Sequence, residues 1–229
     1  VTEIHPFNDW LVVGERHDGL RNVRVLKLDG SVDRYLYAAA ESYVMWPALN
    51  VSTDTSNVRY SYSSLITPNQ TWEVDLASGE TRLLKAKRVL GGFSSDDYRT
   101  ERRMVTARDG TQVPVSLAYR MDTQLDGTAP ALVYGYGSYG SSTDPWFRNS
   151  VVSLLDRGFV FALAHIRGGQ EMGRQWYEQG RLMNKKNTFT DFIDCSKWLI
   201  DNKYVANDKL FASVGSAGGL LMGAIVNMA

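Results

Sequence analysis

The stretch KLFASVGSAGGLLMGAIVNMA, Lys209–Ala229, sets one hydroxyl, that of Ser216, among small residues with an apolar run on either side. A serine hydroxyl attacks a carbonyl efficiently only beside a general base and with donors aimed at the oxyanion that develops. The local order meets part of that demand. KLFASV reads as a strand, GSAGG as a turn and LLMGAIVNM as a helix, so Ser216 falls at a strand-to-helix turn. A nucleophile elbow of this kind strains the serine backbone and brings strand and helix so close that the neighbours must be small. Ala217, Gly218 and Gly219 meet that condition. The helix that follows points backbone N–H groups, that of Ala217 first, at the place where an oxyanion would form. Val214 departs from the G-x-S-x-G pattern, which has glycine two residues before the serine. Either its β-branched side chain crowds the turn or the backbone has adjusted to it. On the motif alone, a nucleophile elbow and a glycine-rich packing turn with an incidental serine both remain open.

The elements that would position Ser216 come in two textures. Up to about Lys87, short alternating apolar runs broken by turn residues, as in DWLVVGERHDG and VRYSYSSLITPNQTWEVDLASGE, read as β-strands with tight turns. Leu28 and Leu76 sit in similar settings about 48 positions apart, within the range of a four-stranded propeller blade. A small β-sandwich without repetition fits the same pattern. Beyond residue 88, RRMVTARDGTQVPVSLAYR reads as an antiparallel hairpin around Asp109-Gly110. Strands at Ala131–Tyr134 and Phe159–Ile166, a short helix at SVVSLLDRG between them, and a longer helix from Asn187 follow. That helix places Phe189, Phe192, Ile193, Leu199 and Ile200 on one face, with Asn187 as its N-cap. Strands alternating with helices argue for a mostly parallel sheet covered on both faces.

Bulk properties exclude more than they assign. The chain has 229 residues, 44% hydrophobic and 22% charged, enough to bury a core. Its 25 basic and 25 acidic residues cancel, which gives no argument for nucleic acid or an anionic membrane as partner. A single cysteine, Cys195, rules out an internal disulfide. No apolar run reaches the roughly 18 residues of a membrane span, and VTEIHPFNDW has no signal-peptide layout. The chain does not begin with methionine, so its true N-terminus is expected upstream.

Three segments, LVYGYGSYGSSTDPWF, LLDRGFVFALAHIRGGQEMGRQWYEQGRLMNKKNTFTDFIDC and GSAGGLLMG, together closely resemble the peptidase domain of the prolyl oligopeptidase family of serine peptidases, and its oligopeptidase B branch in particular. The likeness runs from about Leu90 to Ala229. VLGGFSSDDYRTERRMVTARDGTQVPVSL resembles the family's passage from propeller to peptidase domain. The resemblance implies a fold: residues 1–87 as the last part of a β-propeller, and residues 88–229 as the first part of an α/β-hydrolase catalytic domain. It also implies roles. Ser216 matches the nucleophile, Tyr136 the tyrosine whose hydroxyl helps form the oxyanion hole, and Ala217 supplies the backbone N–H that follows the nucleophile. Asp144 in STDPWF matches an acidic position implicated in subsites for basic residues, although Asp before Pro is also a common turn opener.

Other residues read as structural. His165 precedes the serine, whereas the triad histidine of this fold follows it, and His5 and His17 lie in the propeller-like part. Asp191 and Asp194 also precede Ser216 and read as helix-surface carboxylates. Lys185-Lys186 reads as a solvated pair, Cys195 as packing, and Arg167-Gly168-Gly169 as a loop-forming motif.

The expected function is that of a serine oligopeptidase that hydrolyses short peptides after Arg or Lys through an acyl-enzyme at Ser216, with no cofactor and a cytoplasmic location implied by the resemblance. The family's triad Asp and His lie C-terminal to the nucleophile and are absent here. The chain is therefore expected to be a fragment with little activity alone. Two alternatives stand: another α/β-hydrolase with esterase or aminopeptidase specificity, and a non-catalytic binding protein, which Val214 and the missing triad members favour.

Overall fold

The computed structural model describes residues 1–229, which divide into two compact units, Val1–Phe93 with Asp144–Phe147 and Ser94–Thr143 with Arg148–Ala229. In the first unit, β1 (Glu3–Pro6), β2 (Trp10–His17), β3 (Leu20–Lys27) and β4 (Asp33–Tyr35) form one antiparallel meander. A second meander follows in β5 (Tyr43–Pro47), β6 (Asn57–Ser64), β7 (Gln70–Asp75) and β8 (Thr81–Ala86). They join through one parallel pairing, Arg21 opposite Val44. Each has the four strands of a propeller blade. The β2–β3 turn has positive φ at both Asp18 (50°) and Gly19 (80°), the backbone that matches strand twist in a two-residue hairpin. Alternation then sends Val12, Val23, Val25, Val58 and Val74 into a shared core. Leu28 and Leu76 do follow the third strands of the two meanders, but their environments differ: Leu28 is exposed and Leu76 fully buried.

Four residues from far along the chain complete this unit. Asp144 accepts two hydrogen bonds from the Arg16 guanidinium, at 2.8 and 3.0 Å. Trp146 packs edge-on against Trp46, Phe147 against Phe93, and the Phe147 N–H donates to Ser63 Oγ.

In the second unit, β9 (Tyr98–Thr106) and β10 (Gln112–Arg120) form the hairpin read from the sequence. With β11 (Ala131–Tyr134), β12 (Val160–Ala164) and β13 (Leu210–Ser213) they build one sheet in the order β13-β11-β12-β10-β9. The β13, β11 and β12 strands run parallel, and the hairpin extends the trio antiparallel, so the sheet is mixed. All five residues of β12 are buried, as the continuous apolar run requires of a strand covered on both faces. The helices are α1 (Asn149–Leu155), α2 (Arg174–Glu178), α3 (Lys186–Asp201) and α4 (Gly218–Met228). Helix α3 buries Phe192, Ile193, Cys195 and Leu199, and Cys195, wholly enclosed, has its thiol pKa pushed up by burial.

Two expectations about α3 need correction. Asn187 is not the N-cap. The helix starts one residue earlier, after Lys185, and the Asn187 side-chain amide donates to the Gln179 carbonyl. Asp191 is not on the surface either. It is fully buried and accepts from the Arg167 Nε, Nη2 and backbone N–H at 2.8, 2.5 and 3.0 Å. Asp194 is partly buried and takes the Arg108 guanidinium. Arg167, itself buried, also pairs with the half-exposed Asp109 at 2.7 Å.

Removing one partner of a buried pair leaves the other charge unsolvated. Arg167→Met should therefore lower stability by about 3–5 kcal/mol. Asp109→Asn, at the solvated end of the same guanidinium, should cost less than about 1 kcal/mol. Urea unfolding midpoints for the two variants check this, and equal losses would contradict it.

Candidate active site

Ser216 stands where strand β13 gives way to helix α4, and it is exposed. Its φ is +53°, a left-handed conformation that costs a non-glycine residue roughly 1–3 kcal/mol and persists only where the surroundings enforce it. Here the enforcement is a tight turn. The N–H groups of Gly218, Gly219 and Leu220 bond back to the carbonyls of Gly215, Ser216 and Ala217 at 2.8, 2.9 and 3.2 Å. The Ala217 N–H, which precedes them, is not drawn into these bonds.

Val214 is accommodated by the helix opposite it. Its backbone lies outside the left-handed region, and its side chain is half-buried against the core of the second unit. A Cβ built on Gly218 would lie 2.6 Å from Val214 Cβ, closer than such atoms approach, with the two methyls at 3.2 and 3.4 Å. The valine side chain therefore occupies space left open by the absent Cβ of Gly218. The elbow keeps its close strand-to-helix approach with the bulk moved to the strand side.

Sheet register brings Tyr136 to the same end of the sheet. Strands β11 and β13 are adjacent and parallel, with Tyr134 opposite Ser213. Tyr136 leaves β11 two residues later and Ser216 leaves β13 three residues later, both at the carboxyl ends where open α/β sheets place their ligands. The loop after β11 is pinned from behind. Gly137 has φ +64°, and a Cβ there would meet Thr188 Cγ2 at 2.4 Å and the Arg167 carbonyl at 2.9 Å. Ser138 and Tyr139 of this loop share a pocket of about 390 Å³ with Ala217 and Leu220. Tyr177, Arg181 and Lys185 line its other side.

The remaining candidates fall elsewhere. Asp144 belongs to the first unit, with both carboxylate oxygens on Arg16. His165 is buried with Nε2 2.7 Å from Ser116 Oγ, while its carbonyl accepts from the Trp176 indole. His5 lies beside Glu3 and His17 beside Asp18. Lys185 is not a solvated charge: it is half-buried, and its Nζ donates to the Gly137 carbonyl and to Ser138 Oγ, whereas Lys186 is exposed. The start of α3 directly after Lys185 accounts for these acceptors. A cation at a helix N-terminus opposes the helix dipole, so a lysine there calls for acceptors outside the helix.

The family model described as "Prolyl oligopeptidase family" matches residues 145–229, and that described as "Prolyl oligopeptidase, N-terminal beta-propeller domain" matches residues 1–87. The chain is similar to a dipeptidyl aminopeptidase BI from Pseudoxanthomonas mexicana, at 53% identity over 97% of this chain and 31% of the relative. It is also similar to a protease 2 from Moraxella lacunata, at 42% identity over 99% of this chain and 33% of the relative. Among solved structures, oligopeptidase B from Leishmania major superposes with a TM-score of 0.88 at 37% identity, covering 99% of this chain and 33% of that one. The chain thus spans about a third of the length of the curated relatives it matches.

The Val214–Gly218 contact generates a compensation test. Gly218→Ala should disrupt the elbow and slow acylation of Ser216, because the new Cβ has only the Val214 side chain to displace. Val214→Gly alone should lower stability by about 1–3 kcal/mol without faster acylation. The double variant should recover most of the acylation lost in Gly218→Ala. A double variant no faster than Gly218→Ala would show that the contact is not what shapes the turn.

Proposed function

The chain belongs to the prolyl oligopeptidase family, and we propose on that footing that Ser216 is the acyl-forming nucleophile of a serine peptidase acting on short peptides. The observation that carries the proposal is the +53° φ of an exposed serine at a strand-to-helix turn. The turn leaves Ser216 exposed, where a nucleophile must meet its substrate. In the proposed reaction Ser216 Oγ attacks the scissile carbonyl and loses its proton to a general base. The carbonyl oxygen gains charge and is met by the Ala217 N–H and the Tyr136 hydroxyl. The leaving amine takes the proton, and water then releases the acyl group by the reverse sequence. Phenol is a stronger donor than an aliphatic alcohol, which suits Tyr136 to an oxyanion. His165 is not proposed as that base, since it is buried and bonded to Ser116.

For substrate choice we propose cleavage after Arg or Lys. This is the specificity that the resemblance to the oligopeptidase B branch implies, and the chain is similar to a protein of that name. The relative named dipeptidyl aminopeptidase BI supports a second reading, release of dipeptides from a free amino terminus. Both Asp144 oxygens already accept from Arg16, so its charge is balanced before any substrate cation arrives. Asp144→Asn should accordingly reduce kcat/KM on all substrates alike; a loss confined to Arg and Lys substrates would assign Asp144 to the subsite after all.

Three measurements on the full-length enzyme test the reading. Ser216→Ala should abolish fluorophosphonate labelling and nearly all peptidase activity, and persistent labelling would place the nucleophile elsewhere. Tyr136→Phe keeps the ring and should lower kcat by about 10²-fold with little change in KM; a rise in KM alone would remove Tyr136 from the oxyanion hole. One peptide series, with Arg or Ala before the scissile bond and the amino terminus free or blocked, separates the two specificities. Endopeptidase action tolerates the block and requires the Arg, and dipeptide release shows the reverse pattern.

A further inference from the structure

Lys185 sits at the N-terminal edge of α3 with its ammonium turned into the protein. Its Nζ donates to the Gly137 carbonyl at 2.5 Å and to Ser138 Oγ at 3.0 Å, and it lies 5.8 Å from the centre of the Phe189 ring. Burial lowers its pKa with no carboxylate to offset the effect. A half-buried ammonium at the start of a helix, without a counter-ion, is unfavourable on two counts, desolvation and the helix dipole. The acceptors it finds belong to the two residues immediately after Tyr136. The same loop also meets Thr188 and the Arg167 carbonyl, which leave no room for a Cβ at Gly137. Lys185 also lines the pocket that Ser138, Ala217 and Leu220 line, which puts it beside both the Tyr136 loop and the start of the elbow helix.

We infer that Lys185 is a positioning residue for the oxyanion hole, clamping the peptide segment Gly137-Ser138 so that the Tyr136 hydroxyl is held where the oxyanion forms. The inference rests on the role proposed above for Tyr136. A clamp acts only through what it holds, and this separates it from a residue that merely stabilises the fold. Removing the clamp should slow the chemical step without weakening substrate binding, and should matter only while the Tyr136 hydroxyl is present.

The test is a double-mutant cycle in the full-length enzyme, with kcat and KM measured for wild type, Tyr136→Phe, Lys185→Met and the double variant. Methionine keeps an apolar stem of similar shape and removes the donors. Lys185→Met should lower kcat by about tenfold, within the coupling measured for residues in contact, with KM changed less than about twofold. In the Tyr136→Phe background it should add little. Multiplicative losses, or a fall in thermal midpoint with kcat unchanged, would overturn the inference while leaving the role of Tyr136 intact. If Tyr136→Phe itself leaves kcat unchanged, the oxyanion reading fails and the clamp fails with it. Should Lys185→Met not fold, Ser138→Ala removes one of the two acceptors. It should give a smaller kcat loss, again absent with phenylalanine at 136, and a loss that persists there would count against the clamp.

Discussion

The buried pair between Arg167 and Asp191 ties the loops after β11 and β12, at the carboxyl end of the second sheet, to helix α3. Asp191 enters the pair from the middle of α3, and Arg167 comes from the segment that leaves β12. Because the carboxylate also accepts the Arg167 backbone N–H, the bond sets the position of the main chain as well as the side chain. The Arg167 carbonyl then receives the Thr188 hydroxyl, and the Gly168 carbonyl receives the Gly140 N–H, so the loop after β12 and the loop after β11 are stacked on one helix. Such a pair is not a strong source of net stability, since desolvation of both ions offsets most of their attraction. Its value is specificity of arrangement: the guanidinium fork and the carboxylate admit few geometries, and the Tyr136 loop inherits that restriction.

The elbow is built by a different economy of space. Ser216 is held at positive φ by a turn in which three consecutive N–H groups fold back on three carbonyls, and the helix then passes over Val214 with only a hydrogen on Gly218 between them. The familiar pattern puts small residues on both sides of the serine. Here one side is larger, and the fit survives because closeness depends on the sum of the two side chains at the crossing, not on each separately. The strain at Ser216 and the register of β11 beside β13 then act together, turning one hydroxyl outward at the sheet end from which Tyr136 also emerges.

Legibility in the sequence followed the range of the interaction involved. The hairpin at Asp109-Gly110, the strand at Ala131–Tyr134 and the elbow at Ser216 were readable because each is decided by residues within a few positions of one another. The two four-stranded meanders left only a faint echo, since equivalent places such as Leu28 and Leu76 can be exposed in one and buried in the other. Asp191 and Lys185 were misread as surface charges for the same physical reason. A charge on an amphipathic helix reads as solvated unless its partner is known, and the partners here, Arg167 and the Gly137 carbonyl, lie 24 and 48 positions away. The insertion of Asp144–Phe147 among the residues of the first unit was equally silent: Asp before Pro fits any turn, and nothing near it in sequence announces Arg16.

A serine nucleophile and its oxyanion donors are in general indifferent to which peptide bond is cut, because every acyl transfer from an amide develops the same charge on the same oxygen. Discrimination between cleavage after a basic residue and release of a dipeptide must come from elsewhere, and both require a carboxylate facing a cation. They differ in where that cation stands. A basic side chain before the scissile bond belongs to the residue whose carbonyl Ser216 attacks, whereas a free amino terminus lies one residue further upstream along an extended backbone, about 3.3 Å per residue. Asp144, bonded through both oxygens to Arg16, is engaged in holding its own loop, and its charge is already balanced by that guanidinium. On either of the proposed specificities, what matters is the distance from Ser216 to a carboxylate whose charge is not already balanced, and not how many acidic residues surround it.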